Sequence, residues 1–170
     1  MTRTLVDGHG RTITYVRISV TDRCNFRCVY CMPEDQKFRP LPHLMTREEI
    51  RRAARLLASF GVSKIRITGG EPTTRPDLVG IVGDLAAIGF PSGIALSTNG
   101  VLFPRMAHAL LAAGLTKVNV SLDAAEAEHF RKLTRRDHVA PVLESIDLGR
   151  VHSNGYAFQV EVNYLCSRRG

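Results

Sequence analysis

The stretch YVRISVTDRCNFRCVYC, from Tyr15 to Cys31, determines how the rest of this 170-residue chain is interpreted. Its first six residues, up to Val20, alternate apolar and polar side chains, which predicts a β-strand with one buried face. The following residues place three cysteines, Cys24, Cys28 and Cys31, in the spacing C-x3-C-x2-C, with no fourth cysteine nearby. The sequence therefore predicts a strand that ends in a loop carrying three clustered thiols.

Clustered thiols of this kind predict a metal centre. Thiolates bind soft metal ions and iron–sulfur clusters. Three ligands on one loop leave one coordination position open for chemistry, whereas a structural zinc site is normally closed by four protein ligands. A zinc site completed by the distant Cys166 or by a histidine is the alternative that the cysteines alone leave open. Because the N-terminus, MTRTLVDGHGR, has no apolar export signal, we expect cytoplasmic metal ligation and no disulfide framework.

The composition predicts one globular domain spanning residues 1–170. Apolar residues make up 44% of the chain, and 23 basic against 16 acidic residues give a formal net charge of +7. This charge suits an anionic small substrate as well as nucleic acid. Aromatic residues are only 6% and tryptophan is absent, so a base-stacking surface and a nucleic-acid partner are not expected. No apolar window is long enough to span a membrane, and no membrane partner is expected either.

Strand and helix signals alternate along the chain. Thr46 and Glu49 form a predicted capping box at the start of a helix that Gly61 ends. Further strands are predicted at Lys64–Thr68, Gly93–Ser97, Lys117–Leu122 and Phe158–Leu165. Further helices are predicted at about 76–88, after the TNG motif to about residue 114, at 126–133 and from 141 onward. The alternation predicts an α/β fold in which βα units form a parallel sheet, as a barrel or part of one.

Each predicted strand has one apolar and one polar face. In the second strand, for example, Ile65 and Ile67 alternate with Arg66 and Thr68. Because side chains alternate between the two faces of a strand, the polar sets of all strands converge on one side of the sheet. The interior of a closed barrel is usually filled by branched apolar residues instead. The sequence therefore predicts a concave face that holds a polar ligand.

Four motifs occur in order at the predicted strand ends: VRISVTDRCNFRCVYCMP, KIRITGGEP, STNG and KVNVSLD. Together they resemble the radical S-adenosylmethionine (SAM) enzymes and, among these, the GTP 3′,8-cyclases of molybdenum cofactor biosynthesis (the molybdenum cofactor biosynthesis protein A family). The likeness runs from about residue 5 to about residue 146, and the tail from about residue 148 matches poorly. It implies a partial (β/α) barrel of the radical SAM type, truncated after about four βα units and a fifth strand.

The resemblance also implies roles for individual residues. Cys24, Cys28 and Cys31 would ligate a 4Fe–4S cluster whose fourth iron binds SAM. The residues implied to bind SAM are Tyr30, Gly69, Gly70, Glu71 and Ser121. Those implied to bind GTP are Arg17, Arg66 and Ser97, the last at a position where the family usually has threonine.

The implied reaction is that of a lyase. An external electron donor would reduce the cluster, SAM would be cleaved, and GTP would be converted to (8S)-3′,8-cyclo-7,8-dihydroguanosine 5′-triphosphate. No catalytic group beyond the cluster and SAM is implied, and a homo-oligomer is left open.

Simpler interpretations exist for several of these residues. The two glycines of GGEP are also typical of a tight turn after a strand. The two arginines on the strands are also typical of surface charge. Ser121 and Asp123 fit the N-terminal cap of the next helix, because Glu126 follows Asp123 at the capping-box spacing.

The sequence departs from the family at two places. These 170 residues contain no second C-x2-C set with a later cysteine, which in the family holds a cluster that binds the guanine base. Gln159 stands where the family has a lysine that reaches the GTP phosphates. Two further interpretations therefore stay open: a radical SAM enzyme that acts on another substrate, and a truncated, catalytically impaired remnant that binds the cluster or SAM.

Overall fold

A computed structural model describes residues 4–151 and 159–164 of the protein, with side chains up to residue 148. Five parallel strands form one sheet in the order β1-β2-β3-β4-β5. The strands are β1 (Tyr15–Ser19), β2 (Lys64–Thr68), β3 (Ile94–Thr98), β4 (Lys117–Leu122) and β5 (Gln159–Tyr164); the helices are α1 (Arg47–Ser59), α2 (Leu78–Ile88), α3 (Phe103–Ala112), α4 (Ala127–Thr134) and α5 (Val139–Val151). The predicted α/β fold with a parallel sheet is confirmed, and the structure adds that the strands lie in sequence order.

Helix α1 forms as the local sequence predicts. The Thr46 hydroxyl accepts a hydrogen bond from the Glu49 backbone N–H at 3.2 Å, and the Glu49 carboxylate accepts one from the Thr46 N–H at 2.7 Å. These reciprocal bonds satisfy two N–H groups that have no partner inside the helix. Ile50 and Ala54 bury one face of α1, and Gly61 follows its end with a φ of +84°.

The two predicted faces of the sheet are also observed. Ile18 pairs with Ile67, Ile67 with Leu96, and Leu96 with Val118 across the parallel ladder. Apart from Ile18, which is partly buried, these side chains are fully buried beneath the helices. The opposite face pairs Arg17 with Arg66, and the polar sets of the strands meet there as expected.

Several predicted boundaries move by one or two residues. The strand predicted at Gly93–Ser97 is Ile94–Thr98, and the helix predicted from about residue 76 begins at Leu78. Asp77, at the N-cap of α2, makes no side-chain capping bond, because its carboxylate pairs with Arg75 at 2.7 Å.

The fifth predicted strand is β5, and its outermost predicted residues, Phe158 and Leu165, lie outside the described residues. Gln159 pairs in register with Lys117 of β4. Among the helices of residues 4–151, none is both long and apolar enough to cross a membrane.

Candidate functional site

A cavity of about 240 Å³ opens at the carboxyl ends of the first four strands. It brings together residues that lie on four separate stretches of the sequence. Of the predicted site residues it contains Arg17, Cys24, Cys28, Tyr30, Cys31, Gly69, Gly70, Glu71, Ser97 and Ser121. Arg66 does not line this cavity, but its Nη1 lies 3.4 Å from the Ser97 hydroxyl. Parallel strands all present their carboxyl ends at one edge, and ligands of α/β proteins bind there.

The cysteine loop, which we define as residues 20–46, contributes three free thiols to the cavity. Cys24 and Cys28 are half-buried and Cys31 is exposed. In the described part of the chain, no three His, Cys, Asp or Glu side chains are grouped closely enough to hold one metal ion. A 4Fe–4S cluster offers a different iron to each thiolate, so its ligands need not converge on one point. The donor set therefore fits such a cluster, while Cys166, the fourth ligand of the zinc alternative, lies outside the described residues.

Burial makes two of these thiols harder to deprotonate. It raises the pKa of Cys24 and raises that of Cys28 to about 12. Because the thiolate is the metal ligand, binding must release these protons. Arg27 lies against the loop and donates hydrogen bonds from Nη1 to the carbonyl oxygens of Cys24 and Phe26, at 2.8 and 2.7 Å. Its positive charge helps to lower the pKa of Cys24 against the effect of burial.

Helix α4 holds the cysteine loop from one side. The Arg27 backbone N–H donates to the Thr134 carbonyl at 3.1 Å, and the Val29 N–H donates to the Leu133 carbonyl at 2.9 Å. The last carbonyls of a helix have no partner inside it, so they are free to accept these bonds. No local pattern in the sequence predicts this contact, because it joins residues about a hundred positions apart.

Asp123 is not a helix cap, so that alternative prediction is wrong. The N-cap of α4 is Glu126, which makes no side-chain capping bond. Asp123 instead lines the cavity, where its Oδ2 lies 3.8 Å from the Cys28 sulfur. Partial burial and a hydrogen bond to Asp123 raise the pKa of Tyr30, although more than half of the residue is exposed. Asp123 thus contacts the cysteine loop from the end of β4.

The loop after β2, which we call the GGEP loop (residues 69–77), meets the start of the cysteine loop at very close range. The Gly70 N–H donates to the Thr21 carbonyl at 2.8 Å, and the Glu71 N–H donates to the Arg23 carbonyl at 2.7 Å. A Cβ on Gly70 would lie 2.5 Å from the Arg23 carbonyl oxygen. Gly69 has a φ of +155°, and a Cβ there would overlap the Thr21 carbonyl. The glycines are therefore required by backbone packing, whatever they do for a ligand.

Glu71 is 1% exposed and joins three segments. Its Oε1 accepts hydrogen bonds from the Thr73 N–H at 3.0 Å and from the Thr98 hydroxyl at 2.7 Å, and its Oε2 accepts one from the Asn99 N–H at 2.6 Å. Burial raises the pKa of Glu71 although these donors favour its charged form. Glu71 lines the cavity, and a carboxylate oxygen that accepts one hydrogen bond can accept another, so the predicted contact with a ligand ammonium group is chemically available.

The chain is similar to known proteins in both sequence and structure. The model of the radical SAM superfamily matches residues 18–156. The GTP 3′,8-cyclase of Marinobacter nauticus is 48% identical over 146 residues, which are 86% of this chain and 44% of that protein. GTP 3′,8-cyclase 1 of Pseudomonas aeruginosa is 48% identical over 84% of this chain and 43% of its own length. The chain thus spans less than half the length of these relatives.

Two solved structures show the same fold at low sequence identity. SuiB of Streptococcus suis bound to S-adenosylmethionine superimposes with a TM-score of 0.75 and 16% identity, over 93% of this chain and 35% of that one. Methylornithine synthase gives a TM-score of 0.67 and 16% identity, over 94% of this chain and 44% of that one. At this identity the likeness concerns the architecture alone.

Proposed function

Because the chain belongs to the radical SAM superfamily, we propose that Cys24, Cys28 and Cys31 hold a 4Fe–4S cluster beside a bound SAM molecule. The observation that carries the proposal is the single cavity, into which the three thiols, the GGEP loop and the polar ends of three strands all open. When bound, the cluster and SAM supply reductive cleavage of SAM, for which an external electron donor is needed. The proposal treats residues 1–170 as one core domain.

In this proposal, SAM lies along the ends of β2 and β4. The GGEP loop offers backbone groups at Gly69 and Gly70, and Glu71 offers a carboxylate oxygen to the SAM ammonium group. Ser121 offers a hydroxyl from the end of β4, and Tyr30 lies beside the adenine of SAM. These groups bind and orient SAM and exclude water.

The proposed substrate is GTP, and the proposed reaction is that of the GTP 3′,8-cyclases. Arg17 and Arg66 stand next to each other in the β1–β2 ladder, and Ser97 lies 3.4 Å from the Arg66 guanidinium. Guanidinium groups match the geometry and charge of phosphate oxygens. Two adjacent cations on the cavity side of the sheet therefore suit a triphosphate, with the Ser97 hydroxyl as a further donor.

A second candidate needs only the cluster and SAM sites. The three thiols and the GGEP loop that would form these sites share one cavity. A protein that binds the cluster and SAM, and cleaves SAM without cyclising GTP, is the function that these residues support on their own. This second candidate includes a radical SAM enzyme that acts on a substrate other than GTP.

Anaerobic reconstitution with iron and sulfide, followed by reductant, SAM and GTP, separates the two. The cluster predicts about four irons per chain. Both candidates predict 5′-deoxyadenosine, and only the cyclase predicts a cyclised nucleotide. A reconstituted protein without iron would contradict both.

A variant tests the substrate site. Arg17→Ala is expected to weaken GTP binding about tenfold, because it removes one of two phosphate-binding cations, while SAM cleavage continues. Arg52→Ala, on the exposed side of α1, is the matched control and should bind GTP like the parent protein. Equal GTP affinity of Arg17→Ala and the parent protein would exclude Arg17 from the substrate site.

A further inference from the structure

Asn99, directly after β3, makes hydrogen bonds in three directions. Its backbone N–H donates to Glu71 Oε2 at 2.6 Å, and its side-chain Nδ2 donates to Asn25 Oδ1 at 2.7 Å. Its Oδ1 accepts the Val101 N–H at 3.2 Å. The bond to Val101 closes a local turn, which is a common role for asparagine. The other two bonds reach two different loops, and a local role does not explain them.

Asn25, which accepts the side-chain hydrogen bond of Asn99, lies inside the cysteine motif, between Cys24 and Cys28. Asn25 follows Cys24 directly, so Asn99 is tied to a position one residue from a proposed cluster ligand. Through its backbone, the same residue is tied to Glu71, the proposed SAM-binding carboxylate. Asn99 and Glu71 both line the cavity. One residue thus connects the loop that would hold the cluster with the group that would hold SAM.

The hydrogen bond between Asn99 and Asn25 is chemically suited to positioning the cysteine loop relative to Glu71. Both amides are neutral, so the bond brings no charge next to a cluster. A neutral hydrogen bond changes an equilibrium by a factor of a few to about ten, which is small beside the stability of a domain. The loop is already held by α4 and by the GGEP loop. Losing the amide pair should therefore change where the loop sits relative to Glu71 without unfolding the protein.

We propose that Asn99, acting through Asn25, is a positioning residue that sets the cysteine loop at the correct distance from Glu71 for SAM to reach the cluster. The proposal rests on the proposed function. It assigns no contact between either asparagine and SAM.

The test is a cycle of Asn25→Ala, Asn99→Ala and the double variant, each reconstituted anaerobically beside the parent protein. Three quantities are measured: iron per chain, the SAM dissociation constant, and the change that SAM causes in the electron paramagnetic resonance spectrum of the reduced cluster.

We expect about four irons in every protein. Each single variant should bind SAM roughly fivefold more weakly. The double variant should be no weaker than the weaker single variant, because both substitutions break the same bond. The spectral change on adding SAM should be reduced in all three.

Two further variants separate positioning from general damage. Asn25→Asp keeps an oxygen that accepts the Asn99 amide but adds a charge beside the cluster, so it should lose less SAM affinity than Asn25→Ala without matching the parent protein. Gln36→Ala removes an amide of the cysteine loop that donates only to the neighbouring Lys37 carbonyl, and it should behave like the parent protein. Circular dichroism and thermal unfolding of the metal-free proteins check that each variant folds.

Three results would overturn the proposal. The first is Asn25→Ala with unchanged SAM affinity and an unchanged spectral response. The second is a double variant whose effect is the product of the single effects. The third is loss of SAM binding in Asn25→Asp as large as in Asn25→Ala. A parent protein that binds no cluster or no SAM would overturn the proposed function and this proposal together, whereas the first three results leave the proposed function standing.

Discussion

The two loops that follow β1 and β2 differ in almost every physical respect. The cysteine loop is long, contains a single 3₁₀ turn at Leu41–His43, and exposes Val29, Tyr30 and Cys31. The GGEP loop is short and buries Glu71 and its neighbours against the sheet. The proposed cluster ligands are thus on the loop with the least structure of its own. Some of the residues that fix its path are on the other loop.

This difference follows from what each loop must do. Long irregular loops in a compact domain are usually functional, because reactive groups must reach a ligand that arrives from solvent. Such a loop needs partners that fix its path, and here the partners are the GGEP loop and the last carbonyls of α4. We therefore expect substitutions in the cysteine loop to affect chemistry more than stability, and substitutions in the GGEP loop to affect both.

The largest expected effect is on iron binding. Cys28→Ala should reduce iron from about four per chain to background, since a cluster ligand is lost. The unfolding free energy of the metal-free protein should change by only about 1 kcal/mol, because the side chain is half-buried. Iron analysis and urea unfolding measure the two quantities. Cys166→Ser is the control, and iron loss in that variant would show that Cys166 is a fourth ligand, which contradicts a site with one open position.

Gly70→Ala should have the largest effect on stability. Its Cβ would lie 2.5 Å from the Arg23 carbonyl and 2.6 Å from the Asp22 carbonyl, so backbone on one side must move. We expect a loss of about 3 kcal/mol in unfolding free energy and weaker iron binding with it. Gly83→Ala is the matched control in α2, where a Cβ meets nothing within 4 Å. It should instead stabilise the protein by about 1 kcal/mol. Equal stabilities of the two variants would contradict the close-packing argument.

Glu71→Gln should change how stability depends on pH. Burial raises the pKa of Glu71 in the folded protein above its ordinary value. Its contribution to stability is therefore complete below about pH 4.5 and falls as pH rises through the folded pKa. Glutamine cannot titrate. With its carbonyl oxygen in the place of Oε1, its NH2 group lies at the place of Oε2 and cannot accept the Asn99 N–H, so the variant should be less stable by about 2 kcal/mol at low pH.

The difference between Glu71→Gln and the parent protein should shrink as pH rises, which urea unfolding of the metal-free proteins at several pH values measures. Glu128→Gln is the control with the opposite sign. A hydrogen bond from Lys132 lowers the pKa of Glu128, so any contribution it makes is lost as pH falls. A stability difference between Glu71→Gln and the parent protein that does not vary with pH would show that Glu71 has an ordinary pKa.

The smallest effect is expected where the cysteine loop runs into α1. Thr46→Ala removes the hydroxyl that accepts the Glu49 N–H, and loss of such a cap costs about 1 kcal/mol. Thr46→Ser keeps the hydroxyl and should restore most of the loss. Iron content should not change in either variant, and a fall in iron would mean that the end of the loop influences its cysteines. Thermal unfolding and iron analysis provide both measurements.

The sequence predicted the local structure well because local rules decide it. The capping box at Thr46 and the alternation in Lys64–Thr68 depend only on neighbouring residues, and both are observed. The same rules wrongly predicted that Asp123 caps a helix, because Glu126 follows it at the spacing of a capping box. Asp123 lies beside Cys28 instead. Spacing along the chain cannot show that a side chain has a better-placed partner on another strand.

The sequence by itself determined the three-cysteine loop, the order of strands and helices, and the separation of polar from apolar faces, since each is written in short-range patterns. Only the tertiary structure decided that Gly70 is needed for contact between two loops, that α4 carbonyls hold the cysteine loop, and that Asn99 joins Asn25 to Glu71. These contacts join residues up to about a hundred positions apart. Their energies depend on distances of a few tenths of an ångström, which no spacing or composition encodes.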